Sequence, residues 1–354
     1  MKRLTSFAVL GCAALATALA QQPRVVNARM ETRAVAGGLE ATFQSILSAQ
    51  SSPAWAGYAV PILKGDRQMC CWNNNVMGCS LEPRTNDQSI VVSNNQTVKL
   101  EGPTHLVVLF RMENRQVGKI RTFTPECELD AGGLPLIWLT GVPAPESIKL
   151  LLGLAKDTAG STREQLRKAD SAVGAIAMHA DPAADQALDE LVASSQPEQV
   201  RRQAIFWLGN ARGQHGFQTV SRVVREDPSD KIREHAVFAL TQNKDPQALT
   251  VVAGVAHNDK SARVRGQALF WLAQRAGQKV AEAAISDAIA NDPETEVKKK
   301  AVFALTQMPA GEGVPLLIQV ARTNHNPEVR KQAIFWLGQS KDDRALAFIE
   351  QVLK

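Results

Sequence analysis

One short pattern occurs five times in the C-terminal half of the sequence. The first copy reads Val200-Arg-Arg-Gln-Ala-Ile-Phe-Trp-Leu-Gly, and the others begin at Ile232, Val264, Val297 and Val329. The starting points lie 32 or 33 residues apart. A unit of this length cannot bury an apolar core alone, so a fixed period predicts supersecondary units that stack and share one continuous core.

Each copy has the apolar spacing of a helical hairpin. In the first copy, Val200 and Ala204 lie on one face of a first helix, and Val220 begins the apolar face of a second helix. A weaker copy precedes the five, since Ala172-Val-Gly-Ala-Ile-Ala lies 32 residues before Ala204-Ile-Phe-Trp-Leu-Gly. The sequence therefore predicts an α-solenoid over residues 143–354, with about six repeats after a half unit.

Columns of polar residues and of cations run through the repeats. In four units the polar residue lies six positions before the cation. Such a side chain caps the coming helix, and it also meets the cation one turn inside that helix or in the adjacent unit. We interpret the columns as a structural ladder rather than an anion-binding surface. The polar members are Asp227, Asp259, Asp292 and Asn324, and the cations are Arg201, Arg233, Arg265, Lys298 and Arg330.

Tryptophan and alanine alternate at one position of the first helix. Trp207, Trp271 and Trp336 occupy it in three units, and Ala239 and Ala304 occupy it in the two units between. A large residue in one unit pairs well with a small residue in the next. We therefore predict that the tryptophans pack between repeats and do not form a ligand-binding stripe.

These units resemble a known family. A Pro shortly before Val-Arg, then Ala-Ile-Phe-Trp-Leu-Gly, with the polar ladder between units, resembles short HEAT-type repeats, in particular the class seen in phycocyanobilin lyase subunits. The resemblance covers residues 166–354 and implies a solenoid of helical hairpins. Ankyrin and tetratricopeptide repeats have a similar period but do not fit, because Thr-Pro-Leu-His is missing and the single tyrosine, Tyr58, lies outside the repeats.

The first twenty residues have the pattern of a secretory signal peptide. Lys2 and Arg3 precede an apolar stretch, and Ala18-Leu-Ala ends it before Gln21. We expect cleavage near Ala20 and a periplasmic or secreted protein, an exported bacterial form of the repeat family. An alternative interpretation takes Cys12 as a lipid-anchored cysteine. No later stretch has the ~20 apolar residues of a transmembrane helix.

A small β-rich domain is predicted over residues 54–142, after a linker or helical lead-in over 21–53. One amphipathic helix is expected at 30–47, weakened by two glycines. Short β-rich runs follow. The clearest is a hairpin in which His105–Met112 and Gly118–Thr124 flank the turn Glu113-Asn-Arg-Gln-Val. Strands are also expected at 56–62 and 89–92, and a bridged surface loop at 73–75.

The cysteines of the β-rich domain form a predicted disulfide framework. Cys70, Cys71, Cys79 and Cys127 all lie upstream of the repeats, in a chain expected to reach an oxidising compartment. A bond between the neighbours Cys70 and Cys71 is disfavoured by strain, so Cys79 and Cys127 each pair with one of them. A zinc site is the alternative, although the spacing lacks paired C-x-x-C motifs.

Catalytic patterns are weak throughout. Solenoidal deoxyhypusine hydroxylases carry His-Glu pairs on successive helices, whereas this chain has only Glu234-His235, in reverse order. The other histidines have no common spacing to a carboxylate, and we find no Ser-His-Asp context or phosphate-binding loop. A net charge of +5 with alternating signs does not indicate nucleic-acid binding. We expect no catalytic residue, metal or cofactor.

The sequence thus predicts a non-catalytic scaffold or adaptor that binds another protein or peptide on one face of the solenoid. Two alternatives stay open, namely a cofactor- or metal-dependent enzyme related to HEAT-like lyases or hydroxylases, and a passive structural component of the envelope. Non-core positions of the second helices are the predicted contact residues. They are Gln218, Ser221, Arg222, Arg225 and Gln319.

Overall fold

A computed structural model describes residues 22–65, 67–73, 76–83, 102–158 and 162–353. This part of the chain contains nine strands and fourteen helices. They form two compact units, Met1–Gln203 and Ala204–Lys354. The predicted signal peptide, Cys12, the strand at 89–92 and most of the loop at 73–75 lie outside the described residues.

Two sheets occupy the N-terminal unit. A five-stranded sheet has the order β2-β9-β3-β6-β7, and a four-stranded sheet has the order β1-β8-β5-β4. Trp55, Leu109 and Trp138 belong to the apolar core of this region. The strands are β1 (Val25–Val26), β2 (Arg29–Ala34), β3 (Ala54–Pro61), β4 (Trp72–Asn73), β5 (Val76–Ser80), β6 (His105–Glu113), β7 (Gln116–Phe123), β8 (Glu128–Asp130) and β9 (Pro135–Thr140).

The predicted hairpin is confirmed as β6 and β7, which pair antiparallel. The turn is tighter than the predicted five residues, because Asn114 and Arg115 alone connect the strands, with φ values of 52° and 60°. Two consecutive left-handed residues make the type I′ turn whose twist matches that of paired strands.

The helix predicted over 30–47 is wrong in its first half. Residues 29–34 form β2, which pairs parallel with β9, and α1 covers only Leu39–Ala49. Gly37 and Gly38 separate the two elements with φ values of 75° and 99°. A right-handed helix cannot continue through two such residues. The backbone N–H of Leu39 instead donates to the Glu146 carboxylate at 2.5 Å.

Helices α2 (Ala144–Lys156), α3 (Arg163–Met178) and α4 (Ala183–Val192) belong to the same compact unit as the sheets. A buried network joins them to β3: the Ser147 hydroxyl lies 2.8 Å from the Tyr58 hydroxyl and 2.9 Å from Nε2 of His179. Buried hydrogen bonds therefore cross the boundary that we predict between residues 142 and 143. The division into domains at this position stays a prediction.

Five helical hairpins follow, as the 32-residue period predicts. Each has a first helix with the repeated motif and a second helix that completes the pair. The first helices are α5 (Glu198–Ala211), α7 (Asp230–Thr241), α9 (Ala262–Arg275), α11 (Thr295–Leu305) and α13 (Pro327–Gln339). The second helices are α6 (Gly213–Glu226), α8 (Ala248–Asn258), α10 (Gln278–Asn291), α12 (Ala310–Thr323) and α14 (Asp343–Leu353).

The repeats share a continuous apolar core, formed by the positions that the spacing selects. Val264, Ala268 and Leu272 on α9 are fully buried, and so is Val252 on α8, the second helix of the preceding hairpin. The fold class, helical repeats preceded by a disulfide-tied β-rich region, is confirmed. No helix among the described residues combines the length and apolarity needed to cross a bilayer.

Both disulfides predicted for the β-rich region are formed. Cys70 bonds Cys127, and Cys71 bonds Cys79, so each neighbour takes one distant partner. The sequence left the choice between the two crossed pairings open. The Cys71–Cys79 bridge closes a loop of eight residues, whereas the Cys70–Cys127 bridge spans 57 positions.

Candidate functional site

The ladder joins neighbouring repeats through buried ion pairs. In the second hairpin, Nε and Nη2 of Arg233 donate to the carboxylate of Asp259, at 2.8 and 2.9 Å. Nη1 of Arg233 donates to the backbone oxygen of Asp227 at 2.8 Å. The polar residue six positions before the cation therefore contributes its carbonyl group, and the acid of the next unit contributes the carboxylate. This bidentate geometry is the strong form of an Arg–carboxylate pair.

Arg265 repeats the arrangement with Asp292, at 2.7 and 2.9 Å. Hydrogen bonding to Asp292 raises the pKa of Arg265. Burial acts to raise the pKa of Asp292, but hydrogen bonds from Arg265 and from the backbone N–H of Glu294 outweigh it, so the net shift is downward. The ion pair holds both groups in their charged forms.

Three further cations of the ladder donate to backbone oxygens. Arg201 donates to the backbone oxygen of Val192 at 2.8 Å, and Arg330 donates to that of Asn324 at 2.7 Å. Lys298 donates to the backbone oxygen of Ala290 at 2.7 Å. Each of these cations donates a hydrogen bond to a backbone carbonyl group at or near the C-terminal end of a helix. The described contacts engage these cations within the fold. The structural role of the whole column stays a prediction.

A row of aromatic rings crosses the first helices. Phe206 stacks on Phe238, and Phe270 stacks on Phe303, each with ring centroids 6.1 Å apart. Trp271 lies against Phe238 at 4.8 Å and so connects the two stacks. The row continues through Trp336 to Phe335. Phe335 is 54% exposed, while the other four phenylalanines of the row are half-buried.

The tryptophans are packing residues in this row. Nε1 of Trp271 and of Trp336 is buried without a hydrogen-bond partner among the described residues, so ring contacts hold both indoles. Each indole contacts the phenylalanine that precedes an alanine of the alternating position. The predicted pairing of tryptophan with alanine itself stays a prediction.

An amide column runs beside the aromatic row, four residues after each phenylalanine. Its members alternate in exposure: three are exposed, and the two in units that carry alanine are half-buried. Each half-buried amide donates to the preceding threonine hydroxyl at 3.0 Å. The column consists of Asn210, Gln242, Gln274, Gln307 and Gln339. We call the phenylalanine row and the amide column together the first-helix strip.

The predicted contact residues lie on the second helices. Gln218, Arg222, Arg225 and Gln319 are exposed. Ser221 is only 3% exposed, so its place in the predicted contact surface is wrong. It follows Val220 directly on a helix whose apolar face is broad enough to bury both positions.

A groove of about 410 Å³ separates α6 from α8. Three valines, Val224, Val251 and Val255, line it together with the Arg233–Asp259 pair. Arg225 and Lys260 add two cations to the lining. Gly254 leaves the middle of the groove open, because a Cβ placed there would meet nothing within 4 Å.

Two groups of chemically reactive side chains among the described residues are engaged within the fold. One group of three potential ligands, Cys70, Cys79 and Cys127, has its ligand atoms within 4.8 Å of one another, and all three sulfurs are in disulfides. In the buried Ser147–His179 pair, Nδ1 of His179 lies 2.8 Å from the backbone oxygen of Ala175. The side chains of Tyr58, Ser147 and His179 thus form one buried hydrogen-bonded chain.

Comparison with known proteins assigns the repeats. Residues 188–273 and 282–354 match the sequence profile described as HEAT repeats. The repeat region belongs to the HEAT-repeat family. No curated protein matches the chain. The matched residues contain all five motifs.

Three solved structures are similar to part of this chain. YibA of E. coli is 21% identical, with 60% of this chain and 78% of that chain covered and a TM-score of 0.37. Human deoxyhypusine hydroxylase in complex with glycerol is 16% identical, with 60% and 82% covered and a TM-score of 0.29. The CpcE–CpcF complex of phycocyanin lyase from Nostoc sp. PCC7120 is 17% identical, with 54% and 76% covered and a TM-score of 0.32.

Sequence reasoning missed the first-helix strip. The phenylalanines were visible as part of the motif, but the amides four residues later fall just beyond it. An amide at the same position of all five units was the available signal. Only the structure shows which of these amides are exposed beside the row of phenylalanine rings.

Proposed function

We propose that this protein is a non-catalytic scaffold that binds an extended segment of a partner protein along the first-helix strip of its HEAT repeats. HEAT repeats suit a binding scaffold because stacked hairpins present long continuous surfaces. The proposed ligand is a stretch of polypeptide backbone with apolar side chains at intervals. The amides provide donors and acceptors for peptide groups, and the ring edges provide apolar contacts.

The observation that carries the proposal is that the strip repeats the same chemistry in every unit. Phenylalanine recurs five times, and an amide recurs five times four residues later. The second helices differ at equivalent positions: where α6 has Arg222, α8 has Gly254 and α10 has Asp287. A uniform surface matches the one feature that every polypeptide repeats, which is its backbone.

The spacing of the strip also fits an extended chain. Packed helices lie 8–10 Å apart, and an extended strand rises about 3.3 Å per residue. Three residues of the partner therefore span one repeat. The exposed amides Asn210, Gln274 and Gln339 occur in every second unit, so they contact the partner about every six residues. The intervening Gln242 and Gln307 are oriented by their threonine hydroxyls.

The experiment is a selection of random 18-residue peptides on the full-length protein, followed by titration of selected peptides by fluorescence polarisation. In the test variant, Asn210, Gln274 and Gln339 are each replaced by alanine. Each lost hydrogen bond removes about 1 kcal/mol, so we expect affinity to fall at least tenfold without a change in melting temperature.

The matched control reverses charge on the other face, with Arg222→Glu and Arg225→Glu. We expect this variant to bind the selected peptides like the unaltered protein. If the partner instead binds the predicted contact surface on the second helices, the charge reversal abolishes binding and the amide variant binds normally. That outcome would reject the first-helix strip as the binding surface.

We also propose that the protein acts outside the cytoplasm, in the periplasm or as a secreted protein. The two disulfides support this location, since such bonds persist in oxidising compartments. Cell fractionation with an epitope at the C-terminus tests it, and recovery of full-length protein with reduced cysteines in the cytosol contradicts it. Stoichiometric iron or zinc in purified protein would instead favour the enzyme alternative.

A further inference from the structure

The four disulfide-bonded cysteines form one cluster. Cys79 and Cys127 are buried, at 1% and 0% exposure, and their sulfurs lie 3.8 Å apart although they belong to different disulfides. Cys71 is exposed and Cys70 is half-buried. The two bridges are therefore in van der Waals contact through their inner sulfurs, and only the Cys71 side faces solvent freely.

The surroundings of the Cys71–Cys79 bridge stabilise a thiolate released from it. Nη2 of Arg121 lies 3.6 Å from Sγ of Cys71. The backbone N–H of Cys71 points at Sγ of Cys79 from 2.8 Å. A nearby cation and a hydrogen-bond donor stabilise a thiolate. A thiolate released at Cys79 is thus formed beside a donor and at contact distance from a second disulfide.

From this geometry we infer that the cluster is a thiol–disulfide exchange relay that turns reduction at the surface into a new buried disulfide. A small thiolate such as that of glutathione attacks the exposed Sγ of Cys71, which forms a mixed disulfide and releases Cys79 as a thiolate. The Cys79 thiolate attacks Sγ of Cys127 at 3.8 Å, which forms a Cys79–Cys127 disulfide and releases Cys70 as a thiolate.

A second small thiolate then attacks the mixed disulfide at the small molecule's own sulfur and frees Cys71. Two small thiols are oxidised to one disulfide, and the protein gains two electrons and two protons. The product keeps the inner bridge Cys79–Cys127 and carries two adjacent thiols, Cys70 and Cys71. Thiolate attack on a neighbouring disulfide sulfur is the general route of such exchange.

The product is a binding site that the oxidised protein lacks. Two neighbouring thiols at the surface chelate trivalent arsenicals and soft metal ions such as Cu(I), for which thiolates are preferred ligands. The β-rich region meanwhile keeps one of its two bridges. Reduction therefore changes surface chemistry without removing every cross-link from the fold.

Limited reduction of the full-length protein tests the relay. Glutathione is added, samples are quenched with acid, free thiols are alkylated, and peptides are mapped by mass spectrometry. We expect the one-disulfide species to carry alkyl groups on Cys70 and Cys71 and to retain Cys79–Cys127. Labels on Cys71 and Cys79, with Cys70–Cys127 intact, would overturn the inference, as would labels on Cys71 and Cys127.

A second measurement uses phenylarsine oxide as the probe. The singly reduced protein should bind one equivalent, and the same species with Cys70 and Cys71 already alkylated should bind none. The oxidised protein serves as the control, because all four of these sulfurs are then in disulfides. Arsenical binding by the oxidised protein would show that reduction is not what creates the site.

Discussion

At the scale of single residues, burial separates two kinds of ion pair in the repeats. Asp292 and Arg265 have side chains only 4% and 8% exposed, and they make a bidentate contact. Arg263 on α9 pairs with Glu234 on α7, but its side chain is 52% exposed. Water screens the second pair and not the first, so their contributions to folding differ.

Asp292→Asn should therefore destabilise the protein strongly. It leaves Arg265 buried without a counter-ion, which costs about 3–5 kcal/mol. The matched control Glu234→Gln removes an exposed pair and should cost less than about 1 kcal/mol. Urea unfolding at pH 7 measures both values. Equal losses would mean that the ladder pair is not effectively buried.

The same variant has a predicted pH dependence. The pKa of Asp292 is lowered in the folded protein, while an unfolded aspartate has a pKa of about 3.9. The stabilisation from the charged carboxylate is therefore complete above about pH 4 and is lost as pH falls through the lower folded pKa. The difference between Asp292→Asn and the unaltered protein should be constant from pH 7 to 5 and shrink below pH 4.

At the scale of elements, one glycine sets the separation of two first helices. A Cβ added to Gly209 on α5 would lie 2.7 Å from the carbonyl carbon of Ala239 on α7 and 3.0 Å from its Cβ. Real side chains do not approach so closely, so these helices rely on glycine opposite alanine. Gly254 on α8 faces open space instead.

Gly209→Ala should push α5 and α7 apart and cost about 1–3 kcal/mol through overpacking. Gly254→Ala should stabilise the protein by up to about 1 kcal/mol, because alanine is the better helix former and meets no neighbour. Thermal unfolding of the two variants gives shifts of opposite sign. A stabilised Gly209→Ala variant would show that the contact with Ala239 can relax.

Elements with a local signal could be predicted from the sequence. The repeat helices follow from apolar spacing, and the β6–β7 hairpin follows from two β-rich runs around a polar turn. β2 could not, because its residues are almost all exposed and show no alternation. Its pairing with β9 depends on a strand a hundred residues away. The disulfide choice and the first-helix strip likewise depend on distances that no local pattern encodes.

At the scale of the whole molecule, cross-links are confined to the N-terminal part of the described chain. The longer bridge, between Cys70 and Cys127, closes a loop of 57 positions, and the shorter one closes a loop of eight. Closing a longer loop removes more entropy from the unfolded chain. The two bridges therefore contribute unequally to stability.

Replacing Cys70 and Cys127 by alanine should cost about 4 kcal/mol, and replacing Cys71 and Cys79 should cost about 2.5 kcal/mol, on the loop-entropy relation. Hydrogen exchange of peptides from β6 and β7 reports the loss, with peptides from α9 and α11 as an internal reference. The reverse order would mean that local packing around Cys79, rather than loop length, decides the contribution.

The alternation of tryptophan and alanine bears on how such an array changes length in evolution. Duplication of a single tryptophan-bearing segment would place two tryptophan-bearing units side by side. After the first unit, it would put an indole at the position where Gly209 now meets Ala239. Duplication of two consecutive segments keeps every junction intact. Natural lengthening or shortening of the gene should therefore proceed by pairs of segments, and descendants should carry an unchanged parity of repeats.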